Sequence, residues 1–258
     1  MFNPSIATQL KTQYQSNYPY PYMIIDNFFD ESILESSLEE LKNFNWWGHD
    51  SSQYGMEVNK YLTPWCDNNL IELERDCPIS RYVLKYLNSK KTLSFLEELT
   101  GIDELIPDDI FFGGGIHKIT NGGKLAVHAD YSYHRITNYH RRINLLLYLN
   151  KDWKPEYGGN LELWTPDMKN CVAEIEPIFN RAVIFNITNK ALHGHPVALN
   201  TPPDVARYSF ALYYFTKDRP QEEVELNERS GDKSSVLWVE SPEETIQRKE
   251  SNSGPFKF

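Results

Sequence analysis

The spacing of apolar residues changes near residue 110. Before this point, Leu34, Leu38 and Leu41 recur at intervals of four and three residues, which is the spacing of the buried face of an α-helix. Asp30 precedes them and is a good N-cap, so a helix is predicted to begin just after it. The same reasoning assigns the other elements of this part: a short helix or loose arm over 1–17, a strand over 23–25, a loop with short strands over 45–74, and helices over 78–87 and 90–99.

Beyond residue 110 the apolar residues form short runs or alternate with smaller and more polar ones. Residues 142–150 are almost uniformly apolar, which predicts a strand buried on both faces. The alternation along 205–214 predicts a second long strand, and shorter strands are predicted over 161–164, 171–175 and 181–186. Many short strands at modest spacing favour a sandwich or barrel-like β fold. The chain is therefore predicted to be mainly β with helical support, an α+β protein.

The length of the chain, 258 residues, is compatible with one large domain. We predict a single domain over 1–216, with a β-rich core at about 110–216 and helices from 1–109 supporting that core. After residue 216 the composition becomes highly charged, apart from an apolar patch at 236–239. Residues 217–258 are expected to form an appendage that docks through this patch and frays at its end.

Composition excludes several classes of partner. The net charge is −10 and the isoelectric point about 5.2, so the surface should repel duplex nucleic acid and anionic membranes.

The longest apolar run, 143–149, is far too short to cross a bilayer, and residues 1–15 lack the apolar run of a signal peptide. The cysteines form no Cys-x-x-Cys pair, which is typical of buried thiols in a reducing compartment. The expected location is cytoplasmic.

Candidate chemistry begins after the Gly122-Gly123 turn. The strand predicted there ends in His128-Ala129-Asp130, and residues two apart on a strand point to the same side. One imidazole and one carboxylate are two of the three ligands in the 2-His-1-carboxylate site that holds non-haem Fe(II). Alone, the triplet is more typical of two polar side chains on a solvated face, so a metal site requires a third ligand.

The third ligand has two candidates, His193 and His195, which follow the strand predicted over 181–186. On a regular strand both would face the same way, so periodicity does not choose between them. Arg207 lies on the next predicted strand. Its planar guanidinium suits bidentate recognition of a carboxylate, which could belong to the protein or to a ligand.

The stretch 131–142 lies between the His-Ala-Asp triplet and the buried strand. It is rich in Tyr, His and Arg, and it contains His134 and His140. A solvated surface loop and a lid over a substrate are equally consistent with this composition. His117, upstream of the turn, is expected to point into the core or to pair locally.

These motifs occur together in a familiar order. The set resembles the 2-oxoglutarate- and Fe(II)-dependent dioxygenases of the prolyl-4-hydroxylase type, and it is especially similar to the oxygen-sensing protein prolyl hydroxylases. The resemblance covers roughly residues 110–216. It is carried by His128-Ala129-Asp130, the sequence from Tyr148 to Trp153, Gly158-Gly159, Ile175-Glu176-Pro177, the sequence from Arg181 to His193, Arg207-Tyr208 and Tyr214-Phe215.

The resemblance implies a double-stranded β-helix, a jelly-roll or cupin-like pair of facing sheets packed by the N-terminal helices. It implies catalytic Fe(II) ligands at His128, Asp130 and His193, since the segment from Arg181 onwards matches without a gap and so selects His193 over His195. It also implies 2-oxoglutarate and O2 as cosubstrates, with ascorbate as a candidate reductant. The reaction would couple conversion of 2-oxoglutarate into succinate and CO2 to hydroxylation of an unactivated C–H bond. The substrate would be a prolyl residue, a free amino acid or a small metabolite.

For the cosubstrate, the resemblance implies binding by Arg207, Tyr148 and Ser209. One position departs from the pattern, because the oxygen-sensing relatives carry a tyrosine near the place of Lys118. We therefore expect this side of the cosubstrate pocket to be completed in a different way.

Two other classes of protein compete with an oxygenase acting on a peptide or a small molecule. A non-catalytic β-sandwich binding module could keep the fold. Such a module should have lost a metal ligand or the anchor, whereas all four positions remain in this sequence. A zinc hydrolase could use the same ligands, but no neighbouring Glu stands out as a general base, and zinc does not account for Arg207.

Overall fold

Two β-sheets face each other, and helices cover the outer face of the larger sheet. The structure is a computed structural model, and it describes residues 5–44, 59–62, 67–226 and 237–238. Its helices are α1 (Ile6–Ser16), α2 (Glu31–Asn43), α3 (Asp67–Asp76), α4 (Pro78–Leu87), α5 (Lys90–Thr100) and α6 (Gln221–Leu226). Its strands are β1 (Tyr22–Ile25), β2 (Asn59–Leu62), β3 (Ile106–Pro107), β4 (Gly115–Ile119), β5 (Leu125–Ala129), β6 (His140–Tyr148), β7 (Leu161–Trp164), β8 (Cys171–Ile175), β9 (Ala182–Asn186), β10 (Leu192–His195), β11 (Arg207–Thr216) and β12 (Leu237–Trp238).

The supporting helices form where the sequence places apolar stripes and end signals. At the start of α2, the Asp30 carboxylate accepts a hydrogen bond from the backbone N–H of Ile33 at 3.3 Å, and the predicted leucines of this helix are buried. Helix α4 begins at Pro78. Helix α5 ends at Gly101, whose φ of 75° lies in the left-handed region that glycine adopts readily. These three predicted helices are confirmed.

The prediction of a loop with short strands over 45–74 is wrong at its end, because α3 occupies this part of the chain. The mostly polar sequence of α3 obscures its helical pattern. Its Leu73 is fully buried in the core, and the surface residue Glu74 pairs with Lys85 of α4 at 2.8 Å. Strand β2 confirms one short strand in the stretch. Residues 45–58 and 63–66 lie outside the described residues.

The larger sheet is seven-stranded in the described part of the chain. Its strand order is β1-β9-β6-β11-β4-β2, and β3 pairs with β11. Strand β6 lies at the centre, with Leu147 opposite Ala182 on one side and Phe210 on the other. Leu145 and Leu147 pack in the core that the helices cover, and Tyr148 faces the second sheet. The prediction of a strand buried on both faces is therefore confirmed.

The smaller sheet has the order β12-β5-β10-β7-β8. Its strand β10 pairs with β5 so that His193 lies opposite His128, and a bulge interrupts the register between His193 and His195. Gly194 lies directly on the backbone of β5. A Cβ atom at this position would be only 2.8 Å from the carbonyl oxygen of Leu125, so this close strand pairing requires glycine.

The space between the two sheets is filled by a compact apolar cluster. Its members come from both inner faces and include Tyr148, Leu161, Leu163, Ile175, Val183 and Phe185. Two facing sheets, mostly antiparallel and packed by helices on one side, form the double-stranded β-helix that the resemblance implied. The predicted fold class is confirmed.

Beyond residue 216, the described residues form α6 and β12, and β12 pairs with β5 at the edge of the smaller sheet. The division of the chain into 1–216 and 217–258 stays a prediction. None of the described helices has both the length and the apolar character needed to cross a membrane.

Candidate metal centre and carboxylate pocket

Three predicted ligands meet between the sheets. His128 and Asp130 lie at the end of β5 and just beyond it, and His193 lies on β10. All three side chains are buried, and one potential ligand atom from each lies within 4.8 Å of the others. The Nε2 atoms of His128 and His193 are 3.5 Å and 3.4 Å from oxygens of Asp130. The strand pairing thus assembles two imidazoles and one carboxylate around a common point.

Both imidazoles are oriented as metal ligands usually are. The Nδ1 of His128 is 2.8 Å from the carbonyl oxygen of Ala126, and the Nδ1 of His193 is 2.9 Å from that of Ala191. A carbonyl oxygen can only accept a hydrogen bond, so each Nδ1 carries the proton and each Nε2 presents a lone pair. A backbone carbonyl that fixes the tautomer in this way is a common feature of histidine metal ligands. The residues therefore fit a divalent cation.

Two buried donors hold the Asp130 carboxylate. Its Oδ2 accepts hydrogen bonds from Arg141 Nη2 at 2.9 Å and from Asn144 Nδ2 at 2.7 Å. Burial alone would raise the pKa of Asp130, but the positive charge of Arg141 holds it well below the usual range. Asp130 is consequently an ionised and oriented carboxylate.

Arg141 is itself held on all sides. Its side chain is fully buried, and its Nε and Nη2 donate to Asn144 Oδ1 at 3.0 Å and 2.7 Å. The guanidinium carbon lies 4.4 Å from the centre of the Tyr131 ring and 3.4 Å from that of Tyr213. These are cation–π distances. Arg141 and Asn144 were not among the site residues predicted from the sequence. Asn144 lies on the strand predicted to be buried on both faces, so its amide needed a partner, and that requirement was the available signal.

The stretch 131–142 is not the solvated surface loop that was one of its two interpretations. Tyr131 and His134 are buried, and β6 already begins at His140. The Nδ1 of His134 accepts from the backbone N–H groups of Ile136 and Thr137, and its Nε2 is 3.8 Å from the Asp108 carboxylate. These contacts hold the base of the loop against the core, so only its tip, residues 135–138, is exposed. No observation tests the lid interpretation of this tip.

Arg207, the predicted carboxylate anchor, is buried and only 4% exposed, and its surroundings are called the carboxylate pocket here. Its Nε donates to the carbonyl oxygen of Gly159 at 2.9 Å, and its Nη2 to the Tyr148 hydroxyl at 3.3 Å. A Cβ atom on Gly159 would be 3.1 Å from Arg207 Cδ, so glycine lets the arginine pack against the turn. Among the described residues no carboxylate pairs with this guanidinium. A buried cation without a counter-ion indicates a site for an anionic ligand.

The other predicted cosubstrate residue, Ser209, is buried on β11, opposite Tyr148 on one side and His117 on the other. Lys118 does not enter this pocket, because its ammonium group lies 5.7 Å from the centre of the Tyr208 ring. Tyr208 belongs to the core on the helix side of the sheet. Burial, followed by the nearby charge of Arg207, lowers the pKa of His117 to about 3. His117, rather than Lys118, is thus the residue of β4 that neighbours the carboxylate pocket.

A double-stranded β-helix with two histidines, one aspartate and a buried arginine is the arrangement that the resemblance implied. The family model of the 2OG-Fe(II) oxygenase superfamily matches residues 114–215. Over this part, the chain is similar to that superfamily and to its prolyl-4-hydroxylase type. Members of this superfamily use Fe(II) and 2-oxoglutarate, and the residues above fit both.

The chain is also similar in sequence to individual proteins that are named as prolyl hydroxylases. The chain is 25% identical over 217 residues to the prolyl 3,4-dihydroxylase OGFOD1 of Ostreococcus tauri, a match that covers 78% of this chain and 39% of that protein. It is 34% identical over 83 residues to the prolyl hydroxylase EGLN3 of Mus musculus, which covers 32% of each. It therefore spans about a third to two fifths of these relatives.

Among solved structures, the fold is similar to a prolyl hydroxylase from Trichoplax adhaerens in complex with a hypoxia inducible factor oxygen degradation domain peptide fragment. The TM-score is 0.57 and the identity 19%, with 88% of this chain and 94% of the other covered. At this identity the match supports the fold.

Proposed function

We propose that the protein is a 2-oxoglutarate- and Fe(II)-dependent dioxygenase that hydroxylates an unactivated C–H bond, with a prolyl residue of a peptide as its first candidate substrate. The observation that carries this proposal is the pairing of a buried His-Asp-His cluster with Arg207, a buried cation that has no counter-ion among the described residues. A metal ligand set together with a buried carboxylate anchor is what a metal-chelating dicarboxylate requires.

Each side chain has a role in this proposal. His128, Asp130 and His193 would hold Fe(II), which would bring the metal together with 2-oxoglutarate and O2 as the other reactants. When bound, these groups supply the oxidising power of the reaction, which yields succinate and CO2. Arg207 and Tyr148 bind the far carboxylate of 2-oxoglutarate and so set its orientation at the metal.

The choice of a prolyl substrate is supported by the relatives, since OGFOD1 and EGLN3 are both named as prolyl hydroxylases. A free amino acid or another small metabolite is the alternative substrate class. The alternative of a non-catalytic binding module is not favoured, because the ligands and the anchor are all present and buried. A zinc hydrolase is not favoured either, since it leaves the buried charge of Arg207 without a role.

The experiment is a substrate screen under 18O2. Purified protein is mixed with Fe(II), ascorbate, 2-oxoglutarate and proline-containing peptides or free amino acids, and products are analysed by mass spectrometry. We expect one 18O atom in the hydroxylated product and one in succinate, with neither formed by the matched Asp130→Ala protein. Label that appears equally with the Asp130→Ala protein, or product that carries oxygen only from water, would contradict the proposal.

A further inference from the structure

His195 is a buried polar side chain that the proposed site has not yet used. It lies on β10 and is 3% exposed. Neither of its ring nitrogens has a hydrogen-bond partner among the described residues. Buried polar groups in native proteins are nearly always hydrogen-bonded, because leaving one unsatisfied is costly. The imidazole of His195 therefore indicates a ligand that completes its hydrogen bonds.

His195 lies two residues after the predicted metal ligand His193 on β10, and the charge of Arg207 acts on it. His193, two residues before it on the same strand, faces the larger sheet, where its ring lies 4.8 Å from that of Phe185. The bulge after His193 pairs His195 with Leu125. Burial, followed by the nearby charge of Arg207, lowers the pKa of His195 well below its usual range.

We propose that His195 donates a hydrogen bond to the carboxylate of 2-oxoglutarate that Arg207 holds. This inference rests on the proposed function, because it takes 2-oxoglutarate as the ligand. It assigns His195, on β10 of the smaller sheet, as a cosubstrate-binding residue.

The donors already assigned to the pocket leave this role open. Arg207 directs its Nε to Gly159 and its Nη2 to the Tyr148 hydroxyl, so only part of its fork remains for a ligand. The Tyr148 oxygen accepts from Arg207, and its own hydrogen can point to the ligand. A guanidinium fork can direct two N–H groups at one carboxylate, and the Tyr148 hydroxyl adds a third donor, whereas a carboxylate offers about four acceptor sites. A neutral imidazole supplies one further N–H without adding a second charge beside Arg207.

The test is binding of 2-oxoglutarate to the full chain loaded with Mn(II) under anaerobic conditions, measured by calorimetry. The variants are His195→Leu, which keeps the bulk but removes both nitrogens, and His195→Gln, which keeps an N–H donor. His140→Gln is the matched control outside the pocket. We expect His195→Leu to weaken 2-oxoglutarate binding about 10- to 100-fold, as for a hydrogen bond to a charged group, and His195→Gln to recover part of the loss.

Mn(II) binding to each protein is measured separately and should stay within about threefold of wild type. Unchanged 2-oxoglutarate affinity in His195→Leu would overturn the inference and leave the proposed function intact. Loss of Mn(II) in both His195 variants would overturn it too, because His195 would then be a metal ligand. If the Mn(II)-loaded wild type binds no 2-oxoglutarate, the proposed function fails and the inference with it.

Discussion

Replacing Arg141 by methionine tests how the protein holds Asp130. The substitution keeps a long apolar side chain between the Tyr131 and Tyr213 rings but removes the charge and three hydrogen bonds, one to Asp130 and two to Asn144. Breaking a buried ion pair from one side typically costs about 3–5 kcal/mol, because the remaining charge stays buried without its partner. We expect the metal-free variant to lose about this much free energy of unfolding at neutral pH.

A bound divalent cation should reduce that loss, since it supplies positive charge beside Asp130. The assay is denaturant unfolding of wild type and Arg141→Met, each without metal and with Mn(II). We expect Mn(II) to stabilise the variant more than the wild type. The matched control is Arg181→Met, which breaks a more exposed pair with Asp26. This control should cost about 1 kcal/mol or less and should not depend on metal.

The stability difference between the wild type and Arg141→Met should change with pH in a defined direction. In the wild type the folded-state pKa of Asp130 lies below its unfolded value, so its contribution to stability is present above about pH 4 and is lost as the pH falls through the folded pKa. Without Arg141, burial dominates and the carboxyl takes up a proton at higher pH. The stability difference between the two metal-free proteins should therefore narrow as the pH is lowered from about 7 toward about 4. Equal stability at neutral pH, or equal losses with and without Mn(II), would refute the role assigned to Arg141.

Three further substitutions test the site. In an anaerobic Mn(II) titration, His193→Ala should lose the metal and His195→Ala should keep it; the reverse result would show that the distal ligand is wrong. Arg207→Met should weaken 2-oxoglutarate binding by about 2–5 kcal/mol in calorimetry while raising the melting temperature of the ligand-free protein, because an unpaired buried charge is removed. A lower melting temperature would indicate that a side chain of the protein itself pairs with Arg207. Gly159→Ala should weaken 2-oxoglutarate binding and destabilise the fold by about 1–3 kcal/mol, since its φ of 72° and the nearby Arg207 disfavour a side chain. Unchanged binding and stability would show that the turn can move.

The sequence predicts the β core well because strands that are buried on both faces consist mostly of apolar residues. Residues 142–150 had to be buried on both faces, and β6 is the central strand of the larger sheet. Helix α3 was missed because its sequence is mostly polar, and of its residues 71–76 only Leu73 is buried. Tertiary packing and ion pairs with α4, rather than a local apolar stripe, determine that helix.

The candidate site is predictable only in part. The ordered motifs identify the three ligands and Arg207, and the structure brings the three ligands together and buries Arg207. The contact of Arg141 with Asp130 depends on where β6 begins, and the composition of 131–142 does not fix that point. The position of His195 depends on a bulge after His193. No residue pattern in the sequence predicts this bulge. Local sequence thus predicts the groups that carry chemistry, whereas strand ends and bulges decide which other groups surround them.

Succinate formation tests the central claim most directly. Wild type, Asp130→Ala and Arg207→Met are incubated in air with Fe(II), ascorbate and 2-oxoglutarate, and succinate is measured by mass spectrometry. We predict turnover by the wild type, none by Asp130→Ala, and recovery of Arg207→Met only at much higher 2-oxoglutarate concentrations. Absence of succinate with the iron-loaded wild type, or equal turnover by all three proteins, would contradict the assignment of this site.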